Sequence, residues 1–185
     1  MMNELRTLLK EFAPSLLFLG KFLGLYLILN FSYGLYIDYY FPDPDPVTIW
    51  ASDHSGWVLQ VLGEEVSVEP SYTGPKVWLK SGEKIILSVF EGCSGLNVGI
   101  IFFAFVMAFS SLNVRMLWFV PLGLIVIHLS NLVRIVLLYY VTIYRPNFVY
   151  FTHKYLFTGF LYLIILGLWY LWVMHWMPKK QKADS

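Results

Sequence analysis

Four long apolar segments constrain this chain more than any other feature of its sequence. They cover about residues 13–37, 94–114, 116–144 and 155–177, and the first of them carries one charge, Lys21. A helix needs about 20 mostly apolar residues to cross a hydrocarbon core roughly 30 Å thick. Only 14% of the residues are charged, whereas soluble domains average about 25%. We therefore predict a mainly α-helical, polytopic membrane protein with about four transmembrane helices.

The one sizeable polar region separates the first two spans. It opens with a proline-rich run at 42–46, which predicts a stiff, extended linker. Five short runs with β character follow, separated by turns that contain glycine or proline. These runs are 47–50, 57–62, 66–68, 77–79 and 85–90. We expect a small antiparallel β element on the membrane surface, and a passive connecting loop is the alternative.

Basic residues near the ends of the spans predict the orientation of the chain. Arg6 and Lys10 precede the first span, and Arg115 lies between the second and the third. Three more lysines follow the fourth span, namely Lys179, Lys180 and Lys182. Because Lys and Arg accumulate on the cytoplasmic side of a membrane protein, we assign these places to the cytoplasm.

This orientation divides the chain into five parts. We expect a cytoplasmic N-terminus at 1–12, transmembrane helix 1 at 13–37 and an extracytoplasmic β-rich region at 38–92. A three-helix membrane region follows at 93–178, and a cytoplasmic tail at 179–185. The expected location is the cytoplasmic (inner) membrane, with the β-rich region facing the periplasm or the cell exterior.

Cys93, the single cysteine, stands directly before the second span in the run Glu91-Gly92-Cys93-Ser94-Gly95. At a helix N-terminus the helix dipole and the unpaired backbone N–H groups favour a thiolate. Glycines at this place allow a substrate backbone to approach, and nearby N–H groups suit an oxyanion. A small residue that merely packs is the alternative interpretation.

Arg134 places a charge inside the third span, at a cost of about 2.5–3.5 kcal/mol on translocon-based scales. We expect it to face the interior of the bundle or a wet cavity. Asn131 and His128 precede it at steps of three residues and share its helix face. The alternative is an arginine that bonds to helix carbonyls and locks the bundle.

His153 lies in the expected outer loop just before the fourth span, where it suits acid–base chemistry near neutral pH. His54 and His175 are weaker candidates. With the N-terminus inside, Cys93, Arg134 and His153 fall in the same leaflet, and a thiol, a base and a fixed cation suit acyl transfer through a thioester. No pair of His or Cys residues has ligand spacing, so we expect neither a metal nor another cofactor.

The order of these motifs resembles the exosortase/archaeosortase family, over about residues 85–160. The resemblance rests on the run around Cys93, on Asn131-Leu132-Val133-Arg134 within a later span, and on His153 before a final span. This chain resembles the compact members of the family, because one span precedes its cysteine. The resemblance implies a membrane-embedded cysteine transpeptidase or protease that acts on membrane-anchored proteins with a C-terminal sorting signal.

The resemblance also implies a role for each site residue. Cys93 would attack a peptide carbonyl, His153 would move the proton, and Arg134 would stabilise the oxyanion or hold a substrate carbonyl. Four neighbours are candidates for supporting positions around these three. They are Asn131, Glu91, Ser94 and Gly95.

Two other classes of function compete with the enzyme. In a transport or channel subunit, Arg134 would line a polar path; in a partner-binding scaffold, residues 41–84 would bind the partner and Cys93 would be inert. The net charge of +1 gives no indication of a nucleic-acid partner. The sequence leaves the oligomeric state open.

Overall fold

The computed structural model describes residues 2–109 and 114–176, with side chains from Phe12 onward. The helices are α1 (Met2–Tyr40), α2 (Pro46–Val61), α3 (Leu96–Phe109) and α4 (Val114–Tyr144), followed by a final helix, Pro146–Trp176. The strands are β1 (Ser67–Pro70), β2 (Lys76–Ser81) and β3 (Lys84–Phe90). The predicted mainly helical fold with a small β element is confirmed.

Among the residues that the structure describes, three helices are long and apolar enough to cross a membrane: Phe12–Tyr40 of α1, all of α4, and the final helix. The described part of the predicted second span is α3, whose 14 residues rise roughly 21 Å at about 1.5 Å each. That length is below the roughly 30 Å of a hydrocarbon core. The prediction of a multi-pass membrane protein is confirmed, while the count of four spans is not.

Helix α1 lies at the periphery of the described structure. Its Phe18 ring packs against the rings of Phe105 and Phe109 in α3, at centroid distances of 5.5 and 4.2 Å. Even so, none of the residues in the most apolar stretch of α1 is buried inside the protein. An apolar helix with so much open surface is stable where lipid replaces water as the solvent.

The predicted strands at 47–50 and 57–62 are wrong, because both runs lie in helix α2. Asp45 caps this helix: its carboxylate accepts hydrogen bonds from the backbone N–H groups of Val47 and Thr48, at 3.0 and 3.1 Å. The buried face consists mostly of small or polar residues, so hydropathy does not reveal its helical period. The buried residues are Thr48, Ala51, Ser52, Ser55, Gly56 and Leu59.

The proline-rich run at 42–46 is a tight connection rather than the predicted extended linker. Helix α1 continues to Tyr40, and Pro46 is already the first residue of α2. Asp45 is 3% exposed, and its carboxylate also accepts a hydrogen bond from the Tyr36 hydroxyl at 3.3 Å. The connection therefore ties the end of α1 to the start of α2.

Three of the five predicted β runs do form an antiparallel sheet of order β1-β2-β3. A two-residue loop joins β2 to β3, and its first residue, Gly82, has φ +57°, a conformation that favours glycine. Leu79 and Val89 of the sheet share a hydrophobic cluster with Ile135, Val136 and Tyr139 of α4. Cys93 belongs to the same cluster, so the sheet and α4 together surround the cysteine.

A second hydrophobic cluster joins α3, α4 and the final helix. Phe119 of α4 lies between Phe102 of α3 and Trp172 of the final helix, with ring centroids 5.9 and 4.9 Å away. All three rings are almost completely buried. Aromatic contacts of this size fix the mutual packing of helices. Helix α4 and the final helix carry residues of the polar site described next, and α3 begins directly after it.

Candidate active site

Cys93, Arg134 and His153 lie in mutual contact, although they come from three separate segments. Arg134 Nη2 donates a hydrogen bond to Cys93 Sγ at 3.2 Å, and Cys93 Sγ lies 3.4 Å from His153 Nε2. Arg134 Nη2 is also 3.5 Å from His153 Nε2. Cys93 is 4% exposed and Arg134 is 7% exposed. The sequence predicted one leaflet for these residues, and the structure brings their reactive atoms together.

The hydrogen-bonding capacities of the three groups assign the protons. A guanidinium only donates, so both Cys93 Sγ and His153 Nε2 act as acceptors towards Arg134. A neutral His153 then carries its proton on Nδ1, an assignment that follows from the contacts. A Cys93 thiol can donate its S–H to Nε2, which is the contact that a general base requires.

The state of the Cys93 thiol differs from the sequence prediction. Cys93 ends a short 3-10 turn, Glu91–Cys93, and α3 begins only at Leu96. Burial raises the pKa of the Cys93 thiol, and the nearby Arg134 guanidinium opposes that shift. Burial therefore works against the thiolate that a helix N-terminus would favour, and a base beside the thiol would help to ionise it.

The turn that holds Cys93 is anchored through the backbone carbonyl of Glu91. Ser94 Oγ donates to this carbonyl at 2.8 Å, and the hydroxyl of Tyr33 in α1 donates to it at 3.2 Å. Ser94 Oγ also accepts a hydrogen bond from the backbone N–H of Leu96 at 3.4 Å, at the start of α3. The contacts of Glu91 and Ser94 therefore fix the backbone on both sides of the cysteine.

Asn131 links the cysteine to the arginine. Its Nδ2 donates to the backbone carbonyl of Cys93 at 2.9 Å, and its Oδ1 accepts from Arg134 Nη1 at 3.3 Å. Gly95 allows this close approach: its φ is +82°, and a Cβ there would lie 3.1 Å from Asn131 Cγ. Asn131 is fully buried, so both bonds are shielded from solvent.

The sequence had predicted His153 in a loop, but the residue lies inside the final helix. That helix begins with a 3-10 turn, Pro146–Phe148, and His153 occupies a π turn, Thr152–Leu156. The chain is helical from Pro146 onward, through the stretch that had been expected to form the outer loop. A π turn widens the helix locally, and such turns are frequent at functional sites.

The contact between two histidines, His54 and His128, was not predicted from the sequence. His128 shares helix α4 with Arg134 but contacts His54 of α2, with His54 Nδ1 3.1 Å from His128 Nε2. The Trp50 ring stacks on His128 at 4.1 Å. Trp50 and His54 are four residues apart, a spacing that would have indicated a shared face had α2 been recognised as a helix.

An apolar cavity of about 290 Å³ lies beside the cysteine turn. Ser94, Gly95 and Gly99 line one side, and Trp50 and His128 lie on another.

His175 lies near the end of the final helix, in its last turn, Trp172–Trp176. These histidines and the cavity do not take part in the contacts among Cys93, Arg134 and His153.

The chemistry of the site follows from its side chains. In the part of the chain that the structure describes, no group of three or more His, Cys, Asp or Glu residues is placed to hold a metal ion. A buried thiol in contact with an imidazole and a guanidinium has the parts for nucleophilic acyl transfer. The fold and the site together define a multi-pass membrane protein with a Cys-His-Arg cluster, in which the cysteine and the arginine are buried and the histidine is half-buried.

Comparison with families of known proteins agrees with this description. Residues 14–172 match the model of the transmembrane exosortase family. The match spans most of the chain, so this protein belongs to the transmembrane exosortase family. Neither a curated protein nor a solved structure gave a match.

Proposed function

We propose that this exosortase-family protein is a membrane-embedded cysteine transpeptidase or protease that cleaves a C-terminal sorting signal from exported proteins. The observation that carries the proposal is the contact of Cys93 Sγ with both Arg134 Nη2 and His153 Nε2. A nucleophile within hydrogen-bond reach of its base is the diagnostic arrangement of covalent catalysis.

In the first step, Cys93 Sγ attacks the carbonyl carbon of the scissile peptide bond. His153 Nε2 accepts the thiol proton as the C–S bond forms, and it then donates this proton to the leaving amine nitrogen. The C–N bond breaks, the C-terminal segment of the substrate leaves, and the N-terminal part remains bound to Cys93 as a thioester. The raised pKa of the Cys93 thiol makes proton transfer to His153 part of this step.

Arg134 stabilises negative charge in this scheme. Its Nη2 favours the thiolate before the attack, and a fixed donor in a buried site stabilises an oxyanion more than one in water would. Its Nε is buried and has no hydrogen-bond partner within the described residues. That free donor supports a contact between Arg134 and a substrate oxygen.

The second step transfers the acyl group from Cys93 to an amine, a hydroxyl group of a glycan or lipid, or water. The acceptor's attacking atom loses its proton to His153 as it bonds to the acyl carbon, the C–S bond of the thioester breaks, and His153 returns the proton to Cys93 Sγ. Asn131, Glu91, Ser94 and Gly95 are positioning residues in this proposal. Their contacts hold the turn of Cys93 and the guanidinium of Arg134 in place.

The proposed partners are membrane-anchored protein substrates and the lipid bilayer, and no nucleic acid takes part. The proposed location is the cytoplasmic membrane, with 1–12 and 179–185 inside and the sheet outside. Family membership supports the sorting reaction in general. The orientation rests on the basic residues at the ends of the chain.

Replacing Cys93 with alanine tests the proposal directly. The native host, deleted for this protein, is complemented with the wild type or with Cys93→Ala, and mass spectrometry of the membrane fraction follows proteins that retain a C-terminal apolar segment. We expect the variant to accumulate these unprocessed proteins as the deletion strain does, with the variant present at wild-type amounts. Processing at the wild-type level by Cys93→Ala would rule out the thioester mechanism.

A further inference from the structure

The two outer edges of the three-stranded sheet differ in character. β1 has four residues and includes Glu69 and Pro70. Helix α2 packs against all three strands, and α4 packs against β3. Shortness, charge and proline are the features that keep an edge strand from pairing with another chain. β3 has seven residues and, after Lys84, contains neither a charge nor a proline. One edge of the sheet is therefore protected and the other is left able to pair.

The backbone of β3 is free on that outer side. In the described part of the chain, no backbone–backbone hydrogen bond links residues 84–90 to any element other than β2. The backbone of Phe90, at the end of the strand, donates to the Cys93 side chain. Because successive backbone groups of a strand point to alternate sides, about half of those in β3 lack a strand partner. A row of unpaired N–H and C=O groups on an edge strand is a template with which another extended chain can pair.

The open edge also leads directly to the proposed nucleophile. Phe90 ends β3, and the 3-10 turn Glu91–Cys93 follows at once. Three residues of a 3-10 helix rise roughly 6 Å, which about two residues of an extended chain would cover. The exposed ring of Phe90 lies 6.3 Å from the ring of His153. A strand on this edge would therefore end beside the reactive groups.

We propose that an extended segment of the protein substrate pairs with the free edge of β3 as a fourth strand and thereby delivers its scissile carbonyl to Cys93. This inference rests on the proposed function. The residues before the scissile bond lie parallel to β3, because β3 runs towards Cys93 and the released segment continues past the cysteine towards the membrane. Backbone hydrogen bonds supply the binding, so many side-chain sequences are accepted along β3.

The test uses the full-length wild-type protein in lipid nanodiscs and a peptide probe that alkylates Cys93. The probe is an acetylated hexapeptide of alternating threonine and valine that ends in a chloromethyl ketone. Cys93 Sγ displaces chloride to form a thioether, and the thiol proton passes to His153. Because Cys93 is the only cysteine, intact mass and peptide mapping report the rate at this residue.

Two N-methylated versions of the probe serve as matched variants, one with its odd-numbered amides blocked and one with its even-numbered amides blocked. Strand pairing uses alternate amides, so we expect one version to react at least about ten-fold more slowly and the other to stay within about two-fold of the parent. Equal rates for the two versions, whether fast or slow, would overturn strand pairing.

Hydrogen–deuterium exchange gives an independent reading on the protein itself. In the peptide adduct we expect slower exchange of amides in 84–90 than in the adduct with iodoacetamide, while 67–70 in β1 exchanges equally in both. Equal exchange at 84–90 would overturn the pairing and leave the nucleophile intact. If neither reagent modifies Cys93, the proposed function fails, and the substrate strand fails with it.

Discussion

Replacing Arg134 with glutamine is the sharpest test of how the site controls its thiol. Arg134 Nη2 donates to Cys93 Sγ at 3.2 Å, and both side chains are almost fully buried. The positive charge lowers the pKa of the Cys93 thiol and so partly offsets the upward shift caused by burial. Without the charge, the pKa of Cys93 rises further and less thiolate is present at neutral pH.

The size of the effect follows from the single contact that is lost. A hydrogen bond to a charged group contributes about 1.5–3 kcal/mol, which corresponds to roughly a ten-fold to 150-fold change in the thiolate population. We expect alkylation of Cys93 at pH 7 to slow by a factor in this range. The gap should close as the pH rises above the pKa of both proteins, where each thiol is ionised.

The assay measures the rate of iodoacetamide labelling by intact mass, from pH 6 to pH 11 or as far as the fold persists, in nanodiscs. Arg115→Gln is the matched control, because Arg115 is exposed at the other end of α4. Its profile should match that of the wild type. Labelling of Arg134→Gln that equals the wild type at pH 7 would refute the argument, and a gap that persists at high pH would show that access, not charge, had changed.

Three further predictions concern the base, the turn and the helix cap. His153→Gln should slow substrate processing by about 10²–10⁴-fold, the usual contribution of a general base. His175→Gln should process the substrate normally in the same membrane-fraction assay. Equal processing rates for the two variants would exclude His153 from the mechanism. Gly95→Ala should lower the free energy of unfolding by about 1–2 kcal/mol, because φ +82° is strained for a residue with a Cβ. Thermal unfolding is followed by tryptophan fluorescence, and an unchanged midpoint would contradict this prediction. Asp45→Ala removes the N-cap of α2 and should lower the free energy of unfolding by about 0.5–2 kcal/mol. Replacing the exposed Asp43 with alanine should leave it unchanged. Equal unfolding midpoints for the two variants would show that Asp45 does not stabilise the helix as a cap.

Much of the site was accessible from the sequence because membranes make polar residues conspicuous. A charged residue such as Arg134 stands out in an apolar span, and a single cysteine beside glycines stands out at a span boundary. The basic residues at the chain ends then placed Cys93, Arg134 and His153 on one side. Side-chain contacts between three segments depend on how helices tilt and rotate, which no local pattern encodes.

Helix α2 shows where local patterns failed. Its buried face carries mostly hydroxyl groups and small residues, with Leu59 as its one large apolar side chain. Ser52 and Ser55 donate their hydroxyls to carbonyls of their own helix. With no apolar stripe to detect, the β-branched residues suggested strands. The contact of His54 with His128 was hidden for the same reason.

The sequence by itself indicated that this chain enters a membrane, and it singled out Cys93, Arg134 and His153 as candidate reactive residues. Apolar length and isolated polar groups are local properties, and a bilayer makes them decisive. Only the tertiary structure decided that α3 is short, that His153 lies in a π turn, and that the Cys93 thiol is buried. These features depend on burial among segments distant in sequence, and burial sets the pKa and the partners of a reactive group.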